Sequence, residues 1–171
     1  MSALFLLMRL VHIVLGVFWV GTLIFAATLL MPSVRDTGPD GGKVMFALMK
    51  RGYMNVIPAV ALLTLLSGFW LYWRDSLAGG DVWARSMSAR VFGAGALAAL
   101  VAFGIGISVI RPNAVKLRAI MESLQSTPEG PVRGALMADM NGPRTKMTAA
   151  APWVAALLGI ATACMAVARY L

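Results

Sequence analysis

The chain has 171 residues, of which 60% are hydrophobic and 13% are charged, whereas soluble domains average about 45–50% apolar and about 25% charged residues. This excess of hydrophobic side chains excludes a water-soluble globule, because lipid or other protein must cover it. The formal charge of +8 would suggest nucleic-acid binding in a soluble protein, but here it indicates membrane orientation, and we expect no nucleic-acid partner. The length predicts a single transmembrane domain over residues 1–171.

Four apolar stretches are long enough to cross a hydrocarbon core of about 30 Å, which takes about 20 residues of helix. They run over Leu4–Met31, Tyr53–Trp73, Val91–Ile110 and Met147–Tyr170. Turn and charge signals indicate breaks at Pro32 and Gly38, at Gly79 and Gly80, and at Arg111 and Pro112. Open strands are excluded because lipid leaves their backbone groups unsatisfied. We therefore predict an all-α fold, an integral membrane four-helix bundle.

The first stretch is expected to remain in the protein as a helix. No basic region precedes it, and it is longer than the about 7–15 apolar residues at the centre of a signal peptide. The connection between the third and fourth spans contains a short amphipathic helix over Pro112–Ser126. This helix either extends the third span or lies on the lipid headgroups. A second short helix is predicted from Val132 to Met140.

The distribution of Lys and Arg predicts the orientation of the chain. Ten of the fifteen lie in the first and third loops, namely Arg35, Lys43, Lys50, Arg51, Arg111, Lys116, Arg118, Arg133, Arg144 and Lys146. The other five are Arg9, Arg74, Arg85, Arg90 and Arg169. We therefore expect loops one and three in the cytoplasm and both termini outside, in the cell (inner) membrane.

His12 is the single histidine and lies inside the first span. It shares a helical stripe with Arg9, Gly16, Trp19 and Leu23, which predicts that this face looks into the bundle. An ionisable residue at membrane depth is costly unless it is paired or ligating. Two interpretations of His12 are open: imidazole ligates the iron of haem b, or the ring hydrogen-bonds to an oxygen atom on a neighbouring helix.

One histidine restricts the sites that this chain can form. A haem with two histidine ligands from one chain is excluded, as are copper and zinc sites built from several imidazoles. A haem would need methionine, an open position or another subunit's histidine as its sixth ligand. The glycines and small polar residues of the second and third spans indicate close helix packing. No phosphate loop, nucleophile triad or carboxylate pair occurs in the sequence, which favours a non-catalytic protein.

Two segments of the sequence resemble a known membrane family. The run His12–Gly21, His-Ile-Val-Leu-Gly-Val-Phe-Trp-Val-Gly, resembles the first helix of the HemJ-type protoporphyrinogen oxidases and the related CopD-like four-helix proteins. The segment Phe46–Tyr53, together with downstream positions, is similar to the second helix of that family; those positions are Pro58, Leu62, Thr64, Gly68 and Trp70. The resemblance covers about the first 75 residues and implies haem b binding at His12.

The resemblance also implies a role for Arg90. It stands nearest to the lysine with which the family's third helix begins, and the histidine beside that lysine is missing here. Arginine stays protonated, so it does not replace lysine as a titrating group.

The sequence favours a non-catalytic accessory or structural subunit that packs against other integral membrane proteins in a complex of respiratory or photosynthetic type. The site residues that we predict are His12 as the haem iron ligand, with Arg9, Gly16, Trp19 and Arg90 around the cofactor. The alternative is a HemJ-like oxidase in which Arg90 binds a haem propionate. A third hypothesis is a copper-handling, CopD-like protein.

Overall fold

The computed structural model describes residues 2–171, which form helices joined by short turns. No strand occurs within this range, so the predicted all-α class is confirmed. Two π-helical turns, Ala26–Leu30 and Gly106–Ile110, lie between helical segments. In the described residues the eight α-helices are α1 (Ala3–Phe25), α2 (Met31–Asp36), α3 (Pro39–Lys50), α4 (Tyr53–Ala84), α5 (Met87–Ile105), α6 (Arg111–Ser126), α7 (Pro131–Asp139) and α8 (Asn141–Ala168).

Four helices in residues 2–171 are long and apolar enough to cross a membrane, as expected of a multi-pass membrane protein. They are Ala3–Asp36, Tyr53–Ala84, Met87–Ser126 and Pro131–Ala168, and their lengths lie between 32 and 40 residues. At 1.5 Å per residue the longest helix extends about 60 Å, which is about twice the thickness of the hydrocarbon core. The helices therefore project beyond the membrane, since backbone hydrogen bonding continues where the apolar side chains end.

The breaks predicted at Pro32 and Pro112 are wrong, because the helix passes through both prolines. Each proline follows a π-helical turn and stands in the first turn of the next segment, α2 or α6. A proline lacks the backbone N–H, and its ring crowds the carbonyl four residues earlier; a wider π turn accommodates both effects. At that earlier position Thr28 and Ser108 each donate a hydroxyl hydrogen bond to the carbonyl four residues before them, at 2.8 and 2.7 Å. The chain turns instead at Gly38, where φ is 60°. The break predicted at Gly79 and Gly80 is confirmed as a kink in α4, because Gly80 has the non-helical angles φ 54° and ψ −148°.

The spanning helices form a closed bundle in which α1 pairs with α4 and α5 pairs with α8. Contacts between α4 and α5, and between α1 and α8, complete the ring. Buried apolar side chains from all four helices meet at the centre: Trp19, Ala61, Ala102, Val154 and Leu158. The two alanines let the helix backbones approach one another closely, and the Trp19 ring fills the space that remains.

A second apolar cluster, here called the methionine lobe, lies where α3, α6 and the junction of α7 with α8 meet. Its buried members are Met45, Met49, Ala114, Leu117 and Met140. Met31, Met54, Met121 and Met147 pack against them. The unbranched methionine side chain suits such an irregular junction of short helices. The amphipathic helix predicted between the third and fourth spans is α6; it continues the third span, and its apolar face packs against protein.

Candidate functional site: the His12 contact between α1 and α4

The ring of His12 packs against α4, where three small or polar residues face it. Its Nδ1 lies 2.8 Å from the carbonyl oxygen of Thr64. The hydroxyl of Ser67 is more distant from Nδ1, at 3.5 Å, and donates instead to the carbonyls of Leu63 and Thr64 at 2.7 and 3.0 Å. The hydrogen bond from His12 therefore goes to a backbone carbonyl that also accepts from Ser67.

Gly68 makes the space that the His12 ring occupies. A Cβ atom at this position would lie 2.6 Å from Cε1 and 2.9 Å from Nδ1 of the ring, both too short for non-bonded atoms. Gly16, one turn beyond His12 on α1, is less restricted, because a Cβ there would lie 3.5 Å from Cγ2 of Thr64. Gly68 is thus the residue that sets the approach of the imidazole to α4.

The hydrogen bond to Thr64 determines which ring nitrogen carries the proton. A carbonyl oxygen only accepts, so Nδ1 of His12 donates, and in the neutral imidazole Nε2 keeps its lone pair. Nε2 makes no hydrogen bond within residues 2–171. Within the described residues every fully buried side-chain nitrogen or oxygen atom has a hydrogen-bond partner. Nε2 has no partner, so it is not one of the fully buried atoms. We conclude that Nε2 is at least partly exposed.

The structure places the other predicted site residues in three different environments. Trp19 is 3% exposed and meets the ring of Phe103 on α5 edge to face, with ring centroids 6.4 Å apart. Arg9 and Arg90 are exposed, and neither side chain makes a hydrogen bond or salt bridge within residues 2–171. The structure therefore groups His12 with Gly16 against α4, and Trp19 with the bundle centre.

The predicted inward orientation of the stripe is wrong for Arg9. A step of three residues turns an α-helix by about 300°, so Arg9 is offset by about 60° from His12 around the helix axis. No acidic side chain of the described residues pairs with it, and a guanidinium without a partner is costly to bury. The side chain accordingly lies at the surface of α1.

Sequence reasoning missed the two groups that contact His12 most closely. The first is the backbone carbonyl of Thr64. Every residue has such a carbonyl, so the sequence does not indicate which one accepts the hydrogen bond. The second is the Cα of Gly68, which the sequence indicated only as a point of close helix contact. The detectable signal was the spacing of Thr64, Ser67 and Gly68 on one face of α4, although the register of α1 against α4 was needed to interpret it.

The donor set at this site is a single imidazole. Within the described residues no group of three or more His, Cys, Asp and Glu side chains lies close enough to hold a metal ion. Cys164 lies on α8 at the contact with α5, in the other helix pair. Chemically, the site offers one imidazole nitrogen, Nε2, and the hydrogen bond from Nδ1 to the Thr64 carbonyl fixes the orientation of the ring.

No protein-family model, curated protein or solved structure matches this chain in comparisons with known proteins.

Proposed function

We propose that this chain is a non-catalytic subunit of a membrane complex and that it binds haem b through Nε2 of His12. The observation that carries the proposal is the hydrogen bond between Nδ1 of His12 and the Thr64 carbonyl. Histidines that ligate metals usually donate their other N–H to a carbonyl or carboxylate, which fixes the tautomer and raises the basicity of the ligating nitrogen. The same bond is also what the second interpretation of His12 expects, a ring bonded to an oxygen atom on a neighbouring helix. The haem proposal therefore depends on Nε2, which has no hydrogen-bond partner within residues 2–171.

The single histidine limits the ligation that this chain supplies to one axial position. A second axial ligand would come from methionine or from a histidine of another subunit, or the position would stay open. The apolar outer faces of the helices, with Val17, Phe69 and Leu97 at least 63% exposed, support burial against lipid and other membrane subunits.

The test is an absorption spectrum of the protein extracted from membranes in mild detergent, before and after titration with haemin. We expect a Soret band shifted from that of free haemin, and we expect His12→Ala to abolish the shift. Thr64→Val is the matched control, because it preserves the backbone carbonyl and the methyl group facing Gly16; it should leave the band unchanged. A Soret band that stays identical to that of free haemin after titration would overturn haem binding and leave a subunit without a cofactor.

A HemJ-like oxidase is the second candidate, and the position of Arg90 favours it. The hydroxyl of Tyr72 lies 3.5 Å from the carbonyl of Ala89, which brings the start of α5 beside α4 one turn beyond Gly68. Arg90 is therefore at the same end of the bundle as His12, where a fixed cation suits a propionate. Rescue of a strain that lacks protoporphyrinogen oxidase, lost on Arg90→Gln, would support the enzyme; failure of the wild-type gene to rescue would contradict it.

We also propose an orientation in the inner membrane with both termini outside. It is supported by the ten positive residues of the first and third loops against five elsewhere. Single cysteines introduced by Lys50→Cys or Ser86→Cys, in a Cys164→Ala background, allow a test with a membrane-impermeant maleimide on intact cells. We expect labelling at position 86 and none at position 50; the reverse pattern would invert the topology.

A further inference from the structure

An open cleft of about 450 Å³ lies between α6, α7 and the start of α8. Its polar lining consists of Asn113 and Lys116 from α6, Asp139 from α7 and Lys146 from α8. The two lysines stand on different helices, so both α6 and α8 contribute a basic side chain to the cleft. None of these residues belongs to the His12 site.

The side chains of the cleft are suited to a ligand with one negative charge. Both lysines are exposed, and neither forms a salt bridge within residues 2–171. Asn113 is 9% exposed, and its Nδ2 donates to the Val109 carbonyl at 2.7 Å, which leaves a second amide hydrogen. With two lysines and one aspartate, the lining carries a net charge of +1.

The sequence positions of the two lysines relative to the predicted spans indicate that the cleft lies near the lipid headgroups. Lys116 is six residues beyond Ile110, the end of the apolar part of the third span, which is about 9 Å along a helix. Lys146 immediately precedes Met147, where the fourth apolar stretch begins. Headgroup layers add about 10–15 Å in total to a hydrocarbon core of about 30 Å, so both ammonium groups lie at or just beyond the headgroups of one leaflet.

We propose that this cleft binds the headgroup of an anionic phospholipid. The two ammonium groups hold the phosphate diester, and the amide of Asn113 donates to one of its oxygens. The carboxylate of Asp139 would repel a bare phosphate, but it accepts hydrogen bonds from a headgroup that carries hydroxyls, such as glycerol. Basic clefts between helices at the cytoplasmic side of a membrane recognise anionic lipids in this way.

The test compares lipids on the purified, delipidated protein by native mass spectrometry. We expect phosphatidylglycerol to bind more tightly than phosphatidylcholine. A basic residue near the surface contributes roughly a fivefold change in affinity for anionic lipid, so the double variant Lys116→Gln/Lys146→Gln should lose about 25-fold. The matched control is Lys43→Gln/Lys50→Gln on α3, which removes the same charge outside the cleft and should change the affinity less than about twofold.

Three results would overturn the proposal. Equal binding of the two lipids would remove the requirement for negative charge. An equal loss in the control variant would show that phosphatidylglycerol responds to overall charge rather than to this cleft. Displacement of the lipid by millimolar inorganic phosphate would identify a site for a free anion. Since both lysines are exposed, circular dichroism should show unchanged helix content in every variant, which separates loss of binding from loss of fold.

Discussion

The two helix pairs of the bundle each contain a glycine at their closest approach, but the two glycines face different groups. In the α1–α4 pair, Gly68 faces the imidazole of His12, a ring on a rotatable side chain. In the α5–α8 pair, a Cβ at Gly95 would lie 2.8 Å from Cβ of Cys164 and 3.2 Å from the carbonyl of Ala161. These two groups belong to the backbone or are attached directly to it, so no rotation of a side chain moves them.

The two contacts also differ in whether a side-chain hydrogen bond joins the helices. The α5–α8 pair makes its close contact at small residues, without a side-chain hydrogen bond between the two helices within residues 2–171. The α1–α4 pair includes a polar ring, a backbone acceptor and the hydroxyl of Ser67. Close helix contact in this bundle thus occurs both with an interhelical hydrogen bond, at His12, and without one, at Gly95.

The largest expected effect is that of Gly95→Ala in the α5–α8 pair. The added methyl forces α5 away from α8, and overpacking of this kind costs about 1–3 kcal/mol. The gain in helix propensity from glycine to alanine offsets only about 0.5–1 kcal/mol. Reversible unfolding in mixed micelles should therefore show a net loss of about 1–2 kcal/mol. Gly104→Ala on the same helix is the control, because a Cβ there meets no atom within 4 Å; an equal loss in this control would refute the explanation.

Next in size is His12→Ala in the α1–α4 pair. Hydrogen bonds between membrane helices average about 0.6 kcal/mol and reach about 1.7 kcal/mol, so we expect a loss of about 1 kcal/mol in the same unfolding assay. The control is His12→Ala combined with Gly68→Ala. With the ring absent, the alanine at position 68 fits and restores part of the loss. If the second substitution adds to the loss instead, the contact between Gly68 and His12 is not the one described.

Gly68→Ala alone should lower the free energy of unfolding less than Gly95→Ala does. It should nevertheless change the His12 site more. The imidazole swings away from α4 and loses its bond to Thr64, while the helix propensity of alanine offsets about 0.5–1 kcal/mol. We expect a net loss below about 1 kcal/mol, together with a weakened or shifted Soret band in haemin titrations. Gly21→Ala on α1 is the matched control, since a Cβ there has no neighbour within 4 Å. An unchanged Soret band in Gly68→Ala would show that haem binding does not depend on the orientation of the His12 ring.

The smallest expected effect lies outside both helix pairs, at the ion pair of Asp40 and Lys43 on α3. The hydrogen bond and charge of Lys43 lower the pKa of Asp40 below its ordinary value of 3.8. A carboxyl whose pKa is lowered in the folded state stabilises the fold above its unfolded pKa and loses that contribution as the pH falls through the lowered value. Unfolding midpoints of wild type and Asp40→Asn should therefore converge below about pH 4. The pair is fully exposed, so the difference at neutral pH should be close to the limit of measurement, and a large difference would contradict the exposed geometry.

The sequence by itself determined the four apolar spans, the amphipathic helix that follows the third span and the single histidine in the first. Hydropathy and length specify which segments lie in a membrane, because lipid allows only helices or closed barrels to satisfy the backbone. The amphipathic spacing of Leu117, Ile120, Met121 and Leu124 likewise identified α6 before any packing was known. A single histidine in an apolar helix marked the candidate site, since an ionisable group there is costly without a partner.

Only the tertiary structure decided how these elements meet. The continuation of the helices through Pro32 and Pro112 depends on π turns, which local propensity does not specify. The outward position of Arg9 depends on which part of α1 the neighbouring helices cover. The bond from His12 to the Thr64 carbonyl depends on the register between two helices 52 residues apart in sequence. Backbone carbonyls are chemically alike at every position, so the partner of His12 follows from geometry alone.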